Sequence, residues 1–437
     1  MRQVQNSEAL AINELRKDAL AIAEAGLAAI DISGAFRRTL TIGGDELRIG
    51  DTAYPLAGRR IYFVGVGKCA FAAARAVEEL LGDRLAGGIA LDVSPPEESS
   101  SNLELLTGTH PLPSEANAAA TKRIIELLSG LGEDDLVLML ISGGGSALLC
   151  LPPASMTSAD ESTLWSELTA KGATIQELNT VRKHLSRARG GGLAFASYPA
   201  EVVSLIVSDV PGNDTAYTAS GPTVLDASTV EDARAVLAQY GVDAANAEFI
   251  ESPKEPRYFE RVTNLLFLTN QDALAAMKDE AVRRGYTAEI VDDRFTGEAR
   301  EVGRTVVEKL HGVGAKTALL YAGESTVSLS SSGLAPPKPA GEGGRNQEMA
   351  LAALADIRDD ELILPFASDG RDNTDHAGAI ADTATRAHAE AHNLSSADYL
   401  DAHRSYDFFA ATGDALTTGY TGTNVSDFII AIKHTHE

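Results

Sequence analysis

The sequence predicts an α/β fold in which a mainly parallel sheet is covered by helices on both faces. Apolar runs of strand length alternate with amphipathic segments of helix length along most of the 437 residues, as in repeated βαβ units. Four of the apolar runs end directly in a glycine-rich or polar turn, at residues 65–68, 142–146, 208–214 and 368–372. Because open α/β sheets bind ligands outside the carboxyl ends of their strands, these turns are the first candidates for a functional site.

The predicted elements follow in order from the N-terminus. Polar residues alternate with apolar ones at helical spacing around Glu14 and Asp18, which predicts an amphipathic helix rather than a signal peptide. The first two-thirds of the chain continues with strands at residues 60–64, 88–93, 136–141 and 202–207, and with helices at 70–81, 115–129, 161–170 and 174–188.

A second alternation occupies the last third. The segment 242–261 separates the two alternations, because it is rich in charged residues and carries Pro253 and Pro256. The stretch 333–344 holds three prolines and four glycines and is predicted to be a loop or flap. Strands are predicted at 264–269, 287–291, 318–323, 362–367 and 428–432, and helices at 272–284, 298–312 and 346–356.

Composition excludes several classes of partner. The formal charge of −25 and a pI near 4.7 disfavour nucleic acid and anionic membranes, so any anion site must be a local positive region. No apolar run approaches the ~18 residues of a membrane span. Cys69 and Cys150 are too few for a disulfide scaffold, which favours a cytoplasmic protein. The acidic excess suits a high-salt habitat or an ordinary acidic enzyme, and the sequence leaves both monomer and homodimer open.

Glycines at the first two turns allow the backbone to approach an anion. Gly67 and Lys68 open a helix, where amides favour negative charge and the lysine adds a positive one. The Walker A spacing is absent there, and a purely structural tight turn fits equally well. At the second turn, three consecutive glycines after an apolar strand favour a phosphate cradle over a simple turn. That loop consists of Ser142, Gly143, Gly144, Gly145 and Ser146.

A basic cluster follows on a predicted helix. Asn179, Arg182 and Lys183 share one face because they stand at positions i, i+3 and i+4. They are candidates for binding an anionic ligand. The alternative is a solvated face whose charges pair with acidic neighbours.

The remaining candidates are carboxylates and an arginine on loops. Asp209 and Asp214 follow a strand, where an Asp can deprotonate a hydroxyl or hold Mg²⁺, although Asp, Pro and Gly are also ordinary turn residues. Arg345 and Asn346 follow a Gly-Gly pair, and an arginine there can clamp a phosphate or carboxylate. Asp369 offers a second Mg²⁺ or ribose contact, with a plain polar turn as the alternative.

Read in order, these motifs resemble the glycerate 2-kinase family, whose C-terminal region is the MOFRL domain. The resemblance implies a larger N-terminal Rossmann-like parallel-sheet domain at residues 1–250, a smaller C-terminal MOFRL-type α/β domain at 251–437, and a cleft between them. It spans nearly the whole chain and rests on Gly65-Val66-Gly67-Lys68, Ser142-Gly143-Gly144-Gly145-Ser146, residues 178–186, residues 208–214, Ala219-Ser220-Gly221-Pro222-Thr223, residues 343–348, Ser368-Asp369-Gly370 and residues 421–427.

The resemblance also implies the activity. Members of the family transfer phosphate from ATP to the 2-hydroxyl of D-glycerate with a divalent metal, here expected to be Mg²⁺. Lys68, Asp209 and Arg345 stand at the positions of the family's catalytic residues, and Asn424 joins the candidate nucleotide-binding residues. Asp209 and Asp369 are the expected metal ligands.

Two other functions remain open from the sequence. An NAD(P)H-dependent hydroxypyruvate reductase would need a dinucleotide fingerprint with an acidic residue about 20 positions onward, and Asp92 lies at such a distance. A nucleotide-binding sensor would bind ATP without turning it over. In a reductase the triple-glycine loop and Arg345 would have no evident role, and nothing in the sequence specifically indicates a sensor.

Overall fold

The computed structural model describes residues 2–96, 98–210, 212–244, 247–327 and 341–435. Its helices are α1 (Ser7–Leu10), α2 (Glu14–Ala29), α3 (Ile32–Thr39), α4 (Ala70–Leu81), α5 (Glu115–Ser129), α6 (Gly145–Leu148), α7 (Ser158–Ala170), α8 (Ile175–Lys183), α9 (Gly192–Ser197), α10 (Val230–Gln239), α11 (Asn270–Arg283), α12 (Ala299–His311), α13 (Arg345–Ala353), α14 (Thr383–Ala391), α15 (Ser396–Asp401) and α16 (Ser405–Thr412). Its strands are β1 (Leu40–Gly43), β2 (Glu46–Ile49), β3 (Thr52–Pro55), β4 (Arg60–Val66), β5 (Leu85–Asp92), β6 (Leu103–Thr107), β7 (Asp135–Ile141), β8 (Glu201–Val207), β9 (Val262–Leu268), β10 (Thr287–Phe295), β11 (Thr317–Gly323), β12 (Glu361–Ala367), β13 (Gly378–Ala379), β14 (Ala415–Leu416) and β15 (Asp427–Lys433).

The chain divides into two compact units whose boundary differs from the expected one. One unit is Ile32–Leu268, and the other combines Met1–Asp31 with Thr269–Glu437. The predicted division at residue 250 was too early because β9 pairs in parallel with β8 and completes the first unit's sheet. The N-terminal segment joins the C-terminal part because α2 packs on α11.

The sheet of the Ile32–Leu268 unit confirms the α/β prediction. Its six strands are all parallel and run in the order β6-β5-β4-β7-β8-β9. The strand order reverses between β4 and β7, which makes this pair the topological switch point of a doubly wound, Rossmann-like sheet. The turns at residues 65–68 and 142–146 follow these two strands.

The strands of this sheet form because apolar runs are buried on both faces, as parallel sheets require. Every residue of β7 is buried. Helices α4 and α5 cover the sheet with the same bounds that their apolar periodicity predicts, and their buried residues recur at helical spacing. The resulting core supports the strand ends rigidly, which is what a binding site needs.

The other unit is built on a six-stranded mixed sheet in the order β10-β11-β15-β12-β13-β14. β15 lies between β11 and β12 and is antiparallel to both. The carboxyl ends of β11 and β12 therefore meet the amino end of β15 at one edge. The turns that follow β11 and β12 and the residue that begins β15 share that edge.

The N-terminal helix is fastened to this unit by a buried ion cluster. Arg16 on α2 is 1% exposed. Its Nε and Nη2 atoms donate to the two carboxylate oxygens of Asp382 at 2.7 Å, and Nη1 donates to Asp414 Oδ1 at 2.7 Å. A buried arginine with two carboxylate partners explains why a segment remote in sequence belongs to this unit.

Several elements were not predicted. The antiparallel meander β1-β2-β3 has four residues per strand, too short for a clear alternation. Strand β9 was assigned to the wrong sheet. Most of the predicted loop at 333–344 lies outside the described residues. Among those described, no single helix is long and apolar enough to cross a membrane, although α2 and α3 taken as a bent pair meet that criterion by length and composition.

Candidate active site

Lys68 and the triple-glycine loop lie together at the switch point of the parallel sheet. The strands that precede them, β4 and β7, are direct neighbours. The Lys68 amide donates to the Gly143 carbonyl at 2.9 Å, and the Ser142 amide donates to the Val66 carbonyl at 2.9 Å. Two turns that are separate in sequence are thus joined by backbone hydrogen bonds.

Gly67 is required by this close approach, and Gly144 is favoured by its left-handed backbone. At Gly67, where φ is +116°, a Cβ would lie 2.2 Å from Ser142 Oγ. At Gly144, where φ is +85°, a Cβ would lie 3.4 Å from Lys68 Cγ, so the lysine side chain extends over this glycine. Within the described residues, no protein acceptor is paired with the amides of Gly143 and Gly144. Such amides beside a lysine suit an anion.

Helix α8 reaches the same loop through a buried serine. Ser220 Oγ lies 2.9 Å from Ser146 Oγ and 2.8 Å from Asn179 Oδ1. Ser220 is fully buried, and Asn179 is 5% exposed. Two of the predicted site residues, Ser146 and Asn179, are therefore linked in one hydrogen-bonded chain.

The two basic residues of α8 are buried rather than solvated. The Arg182 guanidinium stacks 3.4 Å from the centre of the Trp165 ring. Burial and the positive charge of Arg189 lower the pKa of Arg182 to about 9. Lys183 Nζ donates to Asp226 Oδ1 at 3.1 Å. The basic residues are therefore not solvated, but Lys183 does pair with an acidic neighbour, as the alternative to ligand binding expected. A role of these residues in ligand binding stays a prediction.

Asp209 and Asp214 lie on the turn after β8. Because β8 neighbours β7, this turn is at the same edge of the sheet as the triple-glycine loop. Asp209 is half-buried and Asp214 is exposed. Asp214 Oδ1 accepts from the Ala216 amide at 2.9 Å, an Asx-type turn. Asp209 is therefore the carboxylate of the pair that stands closer to the strand end.

In the other unit, two carboxylates hold Arg345 at the edge where β11, β12 and β15 meet. Asp427 begins β15 and lies opposite Gly323 and Ala367, the last residues of β11 and β12. The guanidinium donates from Nε and Nη2 to the two oxygens of Asp427, with Nη2 at 3.1 Å from Oδ1, and from Nη1 to Glu324 Oε1 at 2.5 Å. This bidentate geometry orients Arg345.

The two carboxylates differ in burial. The Asp427 side chain is 3% exposed and the Glu324 side chain 57%. Burial raises the pKa of Asp427 to about 6, although the charge of Arg345 opposes the shift. Burial disfavours the charged form of Arg345, but its ion pairs outweigh this and raise the Arg345 pKa. A cavity of about 480 Å³ opens beside this pair and is lined in part by Ser325, Thr326, Gly343, Glu348, Asn373 and His403.

Asp372 caps the helix that carries Arg345. Its fully buried carboxylate accepts the backbone amides of Asn346 at 3.0 Å and Gln347 at 2.8 Å. Both are first-turn donors of α13 that lack an intrahelical partner. A Cβ on Gly344 would lie 2.0 Å from Asp372 O, so a glycine is needed at this position to leave room for Asp372 at the start of the helix. Asn346 is buried beside this carboxylate, and the backbone amides of Asn346 and Gln347 are the two donors that the cap satisfies.

The turn after β12 is held by its neighbours in the same unit. Ser368 Oγ accepts the amides of Val425 at 3.0 Å and Ser426 at 3.3 Å, which fixes the loop that contains Asn424. Asp369 is 7% exposed, and its Oδ1 accepts the Arg371 amide at 3.0 Å. The predicted binding residues Asp369 and Asn424 thus lie on adjoining loops.

No cage for a metal ion occurs among the described residues, since no three His, Cys, Asp or Glu side chains are grouped to hold one. Mg²⁺ in phosphoryl-transfer enzymes is often held by one or two carboxylates together with substrate phosphates. Asp209 and Asp369 belong to different units. Each is compatible with such phosphate-assisted binding, and their assignment to the metal stays a prediction.

Asp92 does not fit the ribose contact that a reductase would need. It is 2% exposed, and its carboxylate accepts the amides of Phe71, Val93 and Ser94 at 3.1, 2.7 and 3.2 Å. Burial raises its pKa in spite of these bonds. The carboxylate is committed to the backbone around the start of α4, which disfavours the dinucleotide alternative.

The sequence interpretation missed four residues that organise the two clusters. Ser220 and Asp427 stand in motifs that carried the family resemblance, so each had a signal but no assigned role. Glu324 directly follows a buried strand, the same signal that identified Asp209. Asp372 caps a helix 25 residues earlier in the chain, and no local pattern indicates such a contact.

Comparison with known proteins identifies the family. Residues 18–252 match a domain of unknown function, DUF4147, and residues 317–427 match the MOFRL family. A D-glycerate 2-kinase of Thermotoga maritima is 36% identical over 85% of this chain and 90% of its own. A protein of Agrobacterium vitis provisionally named hydroxypyruvate reductase is 39% identical over 84% of this chain and 86% of its own.

The same likeness extends to three dimensions. A crystal structure of a glycerate kinase from Thermotoga maritima matches with a TM-score of 0.81 and 33% identity, covering 95% of this chain and 99% of that one. The match spans both units. The chain belongs to the glycerate 2-kinase family with a C-terminal MOFRL domain.

Proposed function

We propose that the protein phosphorylates D-glycerate at its 2-hydroxyl with ATP, giving 2-phosphoglycerate and ADP. The observation that carries the proposal is the meeting of Lys68 with the triple-glycine loop at the switch point of a parallel sheet. Kinase relatives across most of the chain support the same reaction. Cys69 and Cys150 are both buried and are not joined in a disulfide, which supports a cytoplasmic location.

Phosphoryl transfer needs positioning and charge neutralisation more than covalent chemistry. The amides of Gly143 and Gly144 and the Lys68 ammonium would bind phosphate oxygens. Arg345 would neutralise charge on the transferred phosphoryl group or on the substrate carboxylate. When bound with ATP, Mg²⁺ would neutralise the phosphates, with Asp209 and Asp369 as its assigned carboxylates.

Asp209 is the proposed general base. The glycerate 2-hydroxyl oxygen attacks the γ-phosphorus, its proton passes to Asp209, and the bond to the β-phosphate oxygen breaks to release ADP. Asp209→Asn should lower kcat by about 10²–10⁴-fold while leaving the fold intact. Asp134→Asn is a matched control because Asp134 is exposed and directly precedes β7, at the opposite end of that strand from the loop. A kcat near wild type for Asp209→Asn would exclude the base role.

One coupled assay tests the reaction. Enolase consumes only the 2-phosphate, so glycerate- and ATP-dependent formation of phosphoenolpyruvate identifies both the activity and the phosphorylated position. NADH oxidation with hydroxypyruvate, without ADP release from glycerate, would support the reductase alternative instead. We do not expect that result, because the Asp92 carboxylate already accepts backbone amides instead of facing a ribose.

A further inference from the structure

Three polar side chains at the triple-glycine loop form a hydrogen-bonded chain. The number of protons and acceptor sites on each group determines which one donates to which. Ser146 Oγ, Ser220 Oγ and Asn179 Oδ1 follow one another at 2.9 and 2.8 Å. A hydroxyl has one proton to donate, and an amide oxygen can only accept. The order of donors along the chain therefore depends on which way the Asn179 amide faces.

The Asn179 amide is oriented by its own helix. Its Nδ2 donates to the Ile175 carbonyl at 3.0 Å, one turn earlier in α8. A flipped amide would bring two oxygens together at that position, so Oδ1 faces Ser220. The single proton of Ser220 consequently goes to Asn179.

Ser146 must then supply the proton between the two hydroxyls. If Ser220 donated to Ser146 instead, two oxygen lone pairs would face each other at 2.8 Å at the fully buried Ser220. Leaving buried acceptors without a donor is unfavourable. The hydroxyl proton of Ser146 is therefore donated to Ser220. On its partly exposed side, Ser146 Oγ can only accept a hydrogen bond.

The backbone holds this chain in place. Ala219, Ser220 and Gly221 all have positive φ, at +51°, +61° and +59°. This conformation is strained for the two non-glycine residues and persists only where the surroundings enforce it. The Gly190 amide donates to Ser220 O at 2.9 Å, and the Gly191 amide to Gly221 O at 2.8 Å. Strain kept at a buried serine beside the loop indicates that its position matters for function.

We infer that Ser146 accepts a hydrogen bond from an alcohol of the ligand and does not donate to phosphate. The inference rests on the proposed function and refines its substrate site. The 2-hydroxyl of glycerate gives its proton to Asp209 in the proposed reaction. The alcohol that remains on the substrate is the 3-hydroxyl, and the other source of the same chemistry is the ribose of ATP.

Three substrate pairs separate these sources. D-lactate is glycerate without the 3-hydroxyl, and 2′-deoxy-ATP and 3′-deoxy-ATP each lack one ribose hydroxyl. Ser146→Ala should reduce the preference for glycerate over lactate in kcat/KM by about three- to tenfold, the effect of one neutral hydrogen bond. The preference for ATP over the deoxynucleotides should stay unchanged. Ser146→Thr, which keeps the hydroxyl, should retain the wild-type preference.

Ser197→Ala is the matched control, because Ser197 is a fully buried serine that donates to Leu193 O on α9. It should leave all three preferences unchanged. A loss of the ribose preference in Ser146→Ala would assign the accepted hydroxyl to the nucleotide. Unchanged preferences for every pair would overturn the inference. Failure of the proposed function is distinguishable, because the wild-type protein would then not turn over glycerate at all.

Discussion

The pair formed by Arg345 and Asp427 allows a prediction of both magnitude and pH dependence. Asp427→Asn keeps the shape of the side chain and one acceptor oxygen but removes the charge that holds the guanidinium. In the wild type, the two oxygens of Asp427 accept from Nε and Nη2 of Arg345, and the carboxylate is 3% exposed. The substitution therefore removes one charge-assisted hydrogen bond in a buried position.

A hydrogen bond to a charged group contributes about 1.5–3 kcal/mol. If catalysis needs the held conformation of Arg345, losing that amount lowers kcat/KM by roughly 10–100-fold, at about 1.4 kcal/mol per tenfold. Glu324→Gln is the comparison variant, because Glu324 binds the same guanidinium but its side chain is 57% exposed. An exposed pair contributes at most about 1 kcal/mol, so this variant should lose fivefold or less.

The pH dependence follows from the pKa of Asp427, which burial raises to about 6. Below that pH the carboxyl takes up a proton and Arg345 loses its charged partner. We expect kcat/KM of the wild type to fall on the acid side with an apparent pKa near 6, and this limb should be absent in Asp427→Asn.

The pH dependence of stability has the opposite sign to that of kcat/KM. A folded-state pKa above the unfolded value of about 3.9 means that the contribution of Asp427 is full below pH 4 and is lost as pH rises through 6. Wild-type stability relative to Asp427→Asn should therefore decline over that range. Steady-state rates from pH 5 to 8 with urea unfolding at each pH test both parts. An acid limb that persists in Asp427→Asn would refute the assignment.

Three further predictions concern buried polar groups. Arg16→Met leaves the buried carboxylates of Asp382 and Asp414 without their arginine and should lower the free energy of unfolding by about 3–5 kcal/mol. The exposed Lys17→Met should change it by under ~0.5 kcal/mol, and urea unfolding measures both variants. Asp372→Ala removes the α13 cap and should cost about 1–2 kcal/mol, seen as a lower urea midpoint; an unchanged midpoint would contradict the cap. Ser220→Ala leaves Asn179 Oδ1 without its donor and should cost about 1–3 kcal/mol, with a raised KM for substrate; an unchanged KM would contradict the coupling to the loop.

Local chemistry explains which elements the sequence predicted well. Helices α4 and α5 have the expected bounds because their apolar periodicity and their flanking turns are contained in a dozen or so residues. The loop after β7 was identified because three glycines after an apolar run are informative by themselves. Short strands such as β1 to β3 were missed because four residues carry too little periodicity to be distinguished from loop.

The sequence by itself determined the α/β class, the succession of strands and helices, and the turns that carry Lys68, Asp209 and Arg345. Tertiary structure decided how these parts are grouped, since Arg345 meets a carboxylate 82 residues away and Arg16 meets one 366 residues away. It also placed β9 in the first sheet and buried the basic residues of α8. Periodicity and turn chemistry report only on neighbours along the chain, whereas burial, ion pairing and the direction of a shared proton depend on residues that meet only after folding.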